Sequence, residues 1–146
     1  RVGGSFLAHG VPVRSNAVTE AEAITILCAM LGGEPEVRHS YVIEEAEHYV
    51  RLDCETETHA IEVGLDKRSS LDSVQQAEFA GWLAEKNPMV ILIDSDGVEG
   101  TIEYRVRTAA KRLGVAYQTY TVDFLRRWQM TAYFRQRREV VMESSH

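Results

Sequence analysis

Two acids nine residues apart, Asp53 and Glu62, are the side chains in this sequence best spaced to act together. They lie in RLDCETETHAIEVGLDKRSS, residues 51–70, which reads as a strand, a tight turn, a second strand and a polar break. A two-residue loop at Glu57-Thr58 pairs Thr56 with His59 and, counting outward, Asp53 with Glu62. Directly opposed carboxylates destabilise a sheet and push each other's pKa values apart unless something neutralises them. A divalent cation does so. Mg²⁺ or Mn²⁺ on one or two carboxylates keeps positions for water and a phosphate oxygen, which suits phosphodiester hydrolysis. Spacing also allows two exposed acids splayed on an edge hairpin, screened by salt and by Arg51 or Lys67. By itself it favours that simpler arrangement.

The elements that would position the pair follow from hydrophobic periodicity. Residues 1–17 lack it and read as an arm. TEAEAITILCAML opens with Thr19 three residues before Glu22, a capping-box pattern, and lays Ala23, Ile24, Leu27, Met30 and Leu31 along one stripe before Gly32-Gly33. Strands are expected at 37–43, 48–54 and 59–65. Alternation puts Val50, Leu52, Cys54, Ile61, Val63 and Leu65 on a core face, and Arg51, Asp53, Glu55, Ala60, Glu62 and Gly64 on the other. A helix from a Ser69/Asp72 capping box to about Lys86 leads to MVILID, an apolar run typical of a strand covered on both faces. Asp96, as N-cap, opens a helix to Leu113; VAYQTYTV is the last strand. The tail 123–142 is helical, with Phe124, Leu125, Trp128, Ala132 and Val140 inward and Arg126, Arg127, Arg135, Arg137 and Arg138 outward. The order αβββαβαβα describes an α/β fold, a mixed sheet flanked by helices, within one domain: arm 1–17, core 18–122, terminal helix 123–142.

The run DCETETHAIEV, Asp53 to Val63, followed by a helix carrying Gln75-Gln76, resembles the core of the PD-(D/E)xK, or restriction-endonuclease-like, nuclease superfamily. More narrowly it is similar to small uncharacterised bacterial members with a D-C-x-T-x-T-H-A-x-E-V run. Beyond that run the likeness is one of element order, from about Thr19 to Val122. The resemblance implies a restriction-endonuclease-like core, Asp53 and Glu62 as metal ligands, Mg²⁺ or Mn²⁺ as cofactor, and hydrolysis of DNA or RNA. It also brings an acid of the first helix, Glu20 or Glu22, and Gln76 toward the site, although Glu22 is equally a capping residue and a helical Gln is commonly a surface residue.

Gly64 departs from the motif, which has Lys two residues after the Glu to orient or activate the attacking water. Lys67 or Arg68 would have to reach back in its place, with Asp66 as a third oxygen ligand. Without a positioned base such a site can bind metal and nucleic acid yet cleave nothing, since such groups contribute typically 10²–10⁴-fold. Gly64 therefore favours the rival reading, an inactive binding or interaction module on the same fold.

Composition excludes other classes. The chain is 45% apolar and 26% charged, which belongs to a globular domain, and no apolar run is long enough for membrane insertion. Two cysteines, Cys28 and Cys54, are too few for a disulfide framework and lack zinc spacing, so both read as small core residues. Residues 1–100 carry 7 Lys/Arg against 18 Asp/Glu, and residues 101–146 carry 9 against 4, giving an acidic body and a basic end. The Arg-rich tail with Trp128, Tyr133 and Phe134 suits phosphate and base contact, but its aromatic spacing is foremost that of a docking helix. DSDG at 94–97 lacks the ligand pattern of a calcium loop and reads as a turn; His59 reads as a strand-end hydrogen-bonding residue. Arg1 in place of Met suggests a trimmed N-terminus, which leaves cytoplasmic and extracytoplasmic placement both open. Oligomeric state is not encoded in these patterns.

Overall fold

The computed structural model describes residues 18–144. The expected arm, 1–17, lies outside the described residues. α1 (Glu20–Leu31) begins where Thr19 and Glu22 exchange side-chain-to-backbone hydrogen bonds, and ends at Gly32, whose φ of 70° suits a residue without Cβ. β1 (Glu34–Ile43) and β2 (Ala46–Glu55) form an antiparallel hairpin closed by Glu44-Glu45, both at positive φ, the arrangement that matches strand twist. β3 (His59–Leu65) returns antiparallel. A 3₁₀ turn (Arg68–Ser70) and α2 (Ser73–Ala84) cross to β4 (Asn87–Asp94), and α3 (Thr101–Leu113) crosses to β5 (Ala116–Thr121). α4 (Val122–Ser144) follows. The sheet runs β1-β2-β3-β4-β5 in space, antiparallel as far as β3 and parallel from β3 to β5. The expected α/β class with a mixed sheet between helices is the one observed.

Helices cover both faces of the sheet. Ala23, Ile26 and Leu27 of α1 and Leu125 of α4 pack on Ile61, Val63, Ile91 and Ile93. Val74 and Ala77 of α2 and Val106 and Ala110 of α3 pack on Val90 and Leu92 from the opposite side. β4 alternates between the two clusters and is wholly buried from Val90 to Ile93, as its unbroken apolar run requires. No helix among the described residues is long and apolar enough to cross a membrane.

Several local expectations give way. Cys28 and Cys54 are fully buried, as expected, but they are joined in a disulfide, because α1 lies on β2 with their Cα atoms 5.6 Å apart. Gly33 permits that approach: a Cβ there would come within 2.7 Å of the Cys54 sulfur. Leu52 does not share a cluster with Cys54; it packs with Ala60 and Ala80 on the α2 side. Strict alternation fails because the β1–β2 ladder skips Glu36 and Asp53, and Glu36 takes a φ of 56°. The Ser69/Asp72 capping box does not form. Ser70 instead turns its hydroxyl onto the Leu65 carbonyl, and α2 starts later, after Asp72. Asp96 does not cap α3, which starts after Gly100, where Glu103 reaches back to the Gly100 N–H. In α4, Phe124 and Val140 are exposed, whereas Arg135 lies over the Trp128 ring at 4.2 Å and donates to the Trp128 carbonyl.

Candidate functional site

The β2–β3 turn has the register expected from sequence as far as Cys54 and Ile61, but the expected Asp53–Glu62 pair is not part of the ladder. Cys54 pairs with Ile61 and Glu55 with Ala60, while the Thr56 N–H donates to the His59 carbonyl and the Thr56 hydroxyl accepts from the His59 N–H. His59 Nδ1 lies 2.7 Å from the Thr58 hydroxyl at the strand end. Beyond Cys54 the backbone ladder stops. Asp53 Oδ2 takes the Val63 N–H at 2.9 Å, so a carboxylate does the work of the missing strand carbonyl.

That substitution keeps Asp53 near enough to Glu62 to act on its carboxyl. The Glu62 carboxyl is pushed up to about 9, first by burial, then by the charge of Asp53, then by the hydrogen bond between them. At neutral pH the pair therefore holds a proton between two acids. A divalent cation is the other species that relieves such a pair, and two adjacent hard oxygen donors fit Mg²⁺ or Mn²⁺.

Glu62 opens into a groove of about 760 Å³ between α2 and the β1–β2 hairpin. Gln75 and Gln76 line it from α2, together with Phe79 and Trp82; Tyr41 and Arg51 line it from the hairpin. Gln76 thus shares the groove with Glu62. The aromatic wall was not anticipated: Phe79 packs edge-on against Tyr41 at 5.1 Å and stacks with Trp82 at 6.1 Å. Tyr41 and the hairpin's arm come from strand positions that periodicity alone leaves unassigned to a site.

The remaining candidates lie elsewhere. Glu22 spends its carboxylate on the Thr19 N–H at the start of α1, on the far face of the sheet, and Glu20 is exposed in the same turn. Lys67 and Arg68 are exposed beyond the end of β3 and are not among the residues lining the groove. The position beside Glu62 that would carry a lysine is closed. A Cβ on Gly64 would collide with the Ser70 side chain and crowd Leu92.

Asp66 belongs to a second group of acids. With Asp94, Asp96 and Glu103 it places carboxylate oxygens within 4.8 Å of one another, past the ends of β3 and β4. These carboxylates are committed to the loop that they border. Asp66 accepts from the Ser95 N–H and hydroxyl, Asp94 Oδ1 from the Asp96 and Gly97 N–H groups, and Asp96 from the Val98 N–H. Burial, followed by the charges of Asp94, Asp66 and Asp96, raises Glu103 against the lowering effect of its Gly100 N–H bond. Backbone hydrogen bonds, the one from Val98 foremost, lower Asp96. The cluster could hold a metal ion. Its signal in the sequence is an acid at the C-terminal ends of two adjacent parallel strands, where such folds gather ligands.

No family model, curated protein or solved structure matches the chain.

Proposed function

We propose that Asp53 and Glu62 hold a divalent cation, Mg²⁺ or Mn²⁺, and that the groove beside them takes a phosphodiester of nucleic acid, making the chain a nuclease-like, metal-dependent phosphodiester hydrolase with a restriction-endonuclease-like core. The observation that carries this reading is that Glu62, whose carboxyl is held high by burial and by Asp53, lines one groove together with Gln76. When bound, such an ion lowers the pKa of a water molecule and offsets charge on the phosphate.

The chain's own residues have separate tasks. Asp53 is oriented by the Val63 N–H, which fixes one of its oxygens. Glu62 would hold the cation as a carboxylate, giving up the proton that its burial and Asp53 keep on it. Arg51 from the hairpin and Gln76 from α2 line the groove and would meet phosphate oxygens and the substrate's polar edges. Calorimetry with Mg²⁺ or Mn²⁺ tests the reading: heat in the wild type that disappears in Asp53→Ala and in Glu62→Ala supports it, and equal, negligible heats in all three remove the cation. Cleavage of plasmid or single-stranded substrate is expected to vanish in Glu62→Ala.

One observation favours a second reading, a module that binds without cleaving. Ser70 fills the space a lysine at position 64 would need, so no lysine stands two residues after Glu62 to activate water. Cation uptake without cleavage in either metal would select this reading.

A further inference from the structure

Two surfaces of this chain complement each other but cannot meet within one molecule. In α4, Leu125 and Trp128 pack on the chain's own core. Met130, Phe134, Arg137 and Val141 follow at helical spacings that put them on the opposite side, with Tyr133 beside them. Phe134 is 69% exposed, and Met130, Tyr133 and Val141 are exposed as well. Arg137 and Arg138 border this apolar stripe. The groove between α2 and the β1–β2 hairpin is its counterpart. Val42, Ile43, Phe79 and Trp82 give the groove an apolar wall, and Trp82 is 74% exposed. Acids surround that wall: Glu44 and Glu45 at the hairpin tip, Glu47 opposite Val42, and Glu78 and Glu85, which share a shallow depression with Trp82. None of these acids forms an ion pair among the described residues, and Arg51 already faces Glu36 at 3.9 Å. An amphipathic helix bordered by arginines fits an apolar groove bordered by carboxylates. Leu125 fixes α4 on the α1 face of the sheet, whereas the groove opens on the α2 face, so the sheet stands between them.

We propose that the α4 stripe of one copy of this chain docks in the groove of a second copy, and that the second copy returns the contact, closing a two-fold dimer. Exchange in both directions covers both stripes and both grooves. The docking uses the groove's apolar wall and acidic rim and does not depend on a bound cation.

Sedimentation velocity of the full chain over a concentration series tests this. Wild type is expected to be dimeric above about 10 µM, and to dissociate more readily as salt screens the rim. Phe134→Asp and Trp82→Asp each raise the dissociation constant about tenfold or more, with wild-type circular dichroism because both side chains are exposed. Either change breaks a contact by itself, so the mixture of the two variants keeps one contact intact. A heterodimer should therefore form at concentrations where each variant alone is monomeric. A wild type that stays monomeric at about 100 µM overturns the proposal. So does a dimer that Phe134→Asp dissociates and Trp82→Asp leaves intact, which means that the stripes pair with each other, or a mixture that yields no heterodimer. A monomer that binds phosphatidylserine vesicles through Phe134 also overturns it and assigns the stripe to a lipid surface. Helix and phosphodiester compete for one groove, so calorimetry with Mg²⁺ on the monomeric Phe134→Asp protein, whose groove is open, scores the proposed cation separately.

Discussion

The carboxylate of Asp53 accepts the backbone N–H of Val63, a donor buried in a central strand, at 2.9 Å. The acid is therefore structural before it is chemical. Its removal exposes two separate contributions, a satisfied backbone donor and a negative neighbour for Glu62.

Asp53→Ala leaves the Val63 N–H without its acceptor and is expected to cost about 1–3 kcal/mol. Asp53→Asn keeps an acceptor and costs less. In the Asn variant the Glu62 midpoint falls below about 9 but stays above its ordinary value, because burial, the largest cause of the shift, remains. Urea denaturation and carboxyl-carbon NMR titration check the two halves.

Glu62 makes the protein less stable as pH rises. Its folded-state pKa, about 9, lies above the ordinary 4.5, so the folded form binds the proton more tightly than the unfolded form. The Glu62 contribution is greatest below the ordinary value and declines from there to about 9, at up to about 1.4 kcal/mol per unit. Without divalent cation, Glu62→Gln is expected to flatten that decline and to be more stable than wild type at pH 8. Denaturant midpoints at pH 5 and pH 8 decide it. Cation binding near neutral pH should release close to one proton, visible as a dependence of binding heat on the buffer's ionisation enthalpy.

Gly64 is a packing glycine. Gly64→Ala drives a methyl into Ser70 and is expected to destabilise by about 1–3 kcal/mol. Adding Ser70→Gly, which opens the space, should recover part of that loss. Additive losses in the double variant would sink the explanation. Gly64→Lys alone is expected to impair folding rather than to restore cleavage.

The Cys28–Cys54 bond closes a loop of 26 residues between α1 and β2. Chain-entropy reasoning assigns such a loop about 3.5 kcal/mol, so the Cys28→Ala/Cys54→Ala protein should denature at markedly lower urea. Thiol labelling of the unfolded, unreduced chain should find neither cysteine, since among the described residues none is free.

Local signals were the legible ones. The Thr19/Glu22 cap, the buried run of β4 and the two-residue β2–β3 turn each follow from neighbours in sequence, and the turn sets Glu55 opposite Ala60 and Cys54 opposite Ile61. What escaped depends on contacts across layers. The disulfide needs α1 laid on β2, and the side of Leu52 depends on the ladder break at Asp53 and Glu36. The aromatic wall needs a β1 strand brought over α2, and the cluster of Asp66, Asp94, Asp96 and Glu103 needs parallel strands whose ends coincide. Helical spacing points Val140 and Phe124 inward, yet both are exposed, because periodicity does not say how far along a helix its support extends.

Spatial strand order repeats chain order, β1 through β5, so each ladder joins successive segments and no strand must be threaded between two already formed. Every closure spans a hairpin or a single helix, which keeps the entropic toll of each step small. The sheet can accordingly grow from one edge to the other as a zipper does, and for a mixed sheet its assembly should be fast.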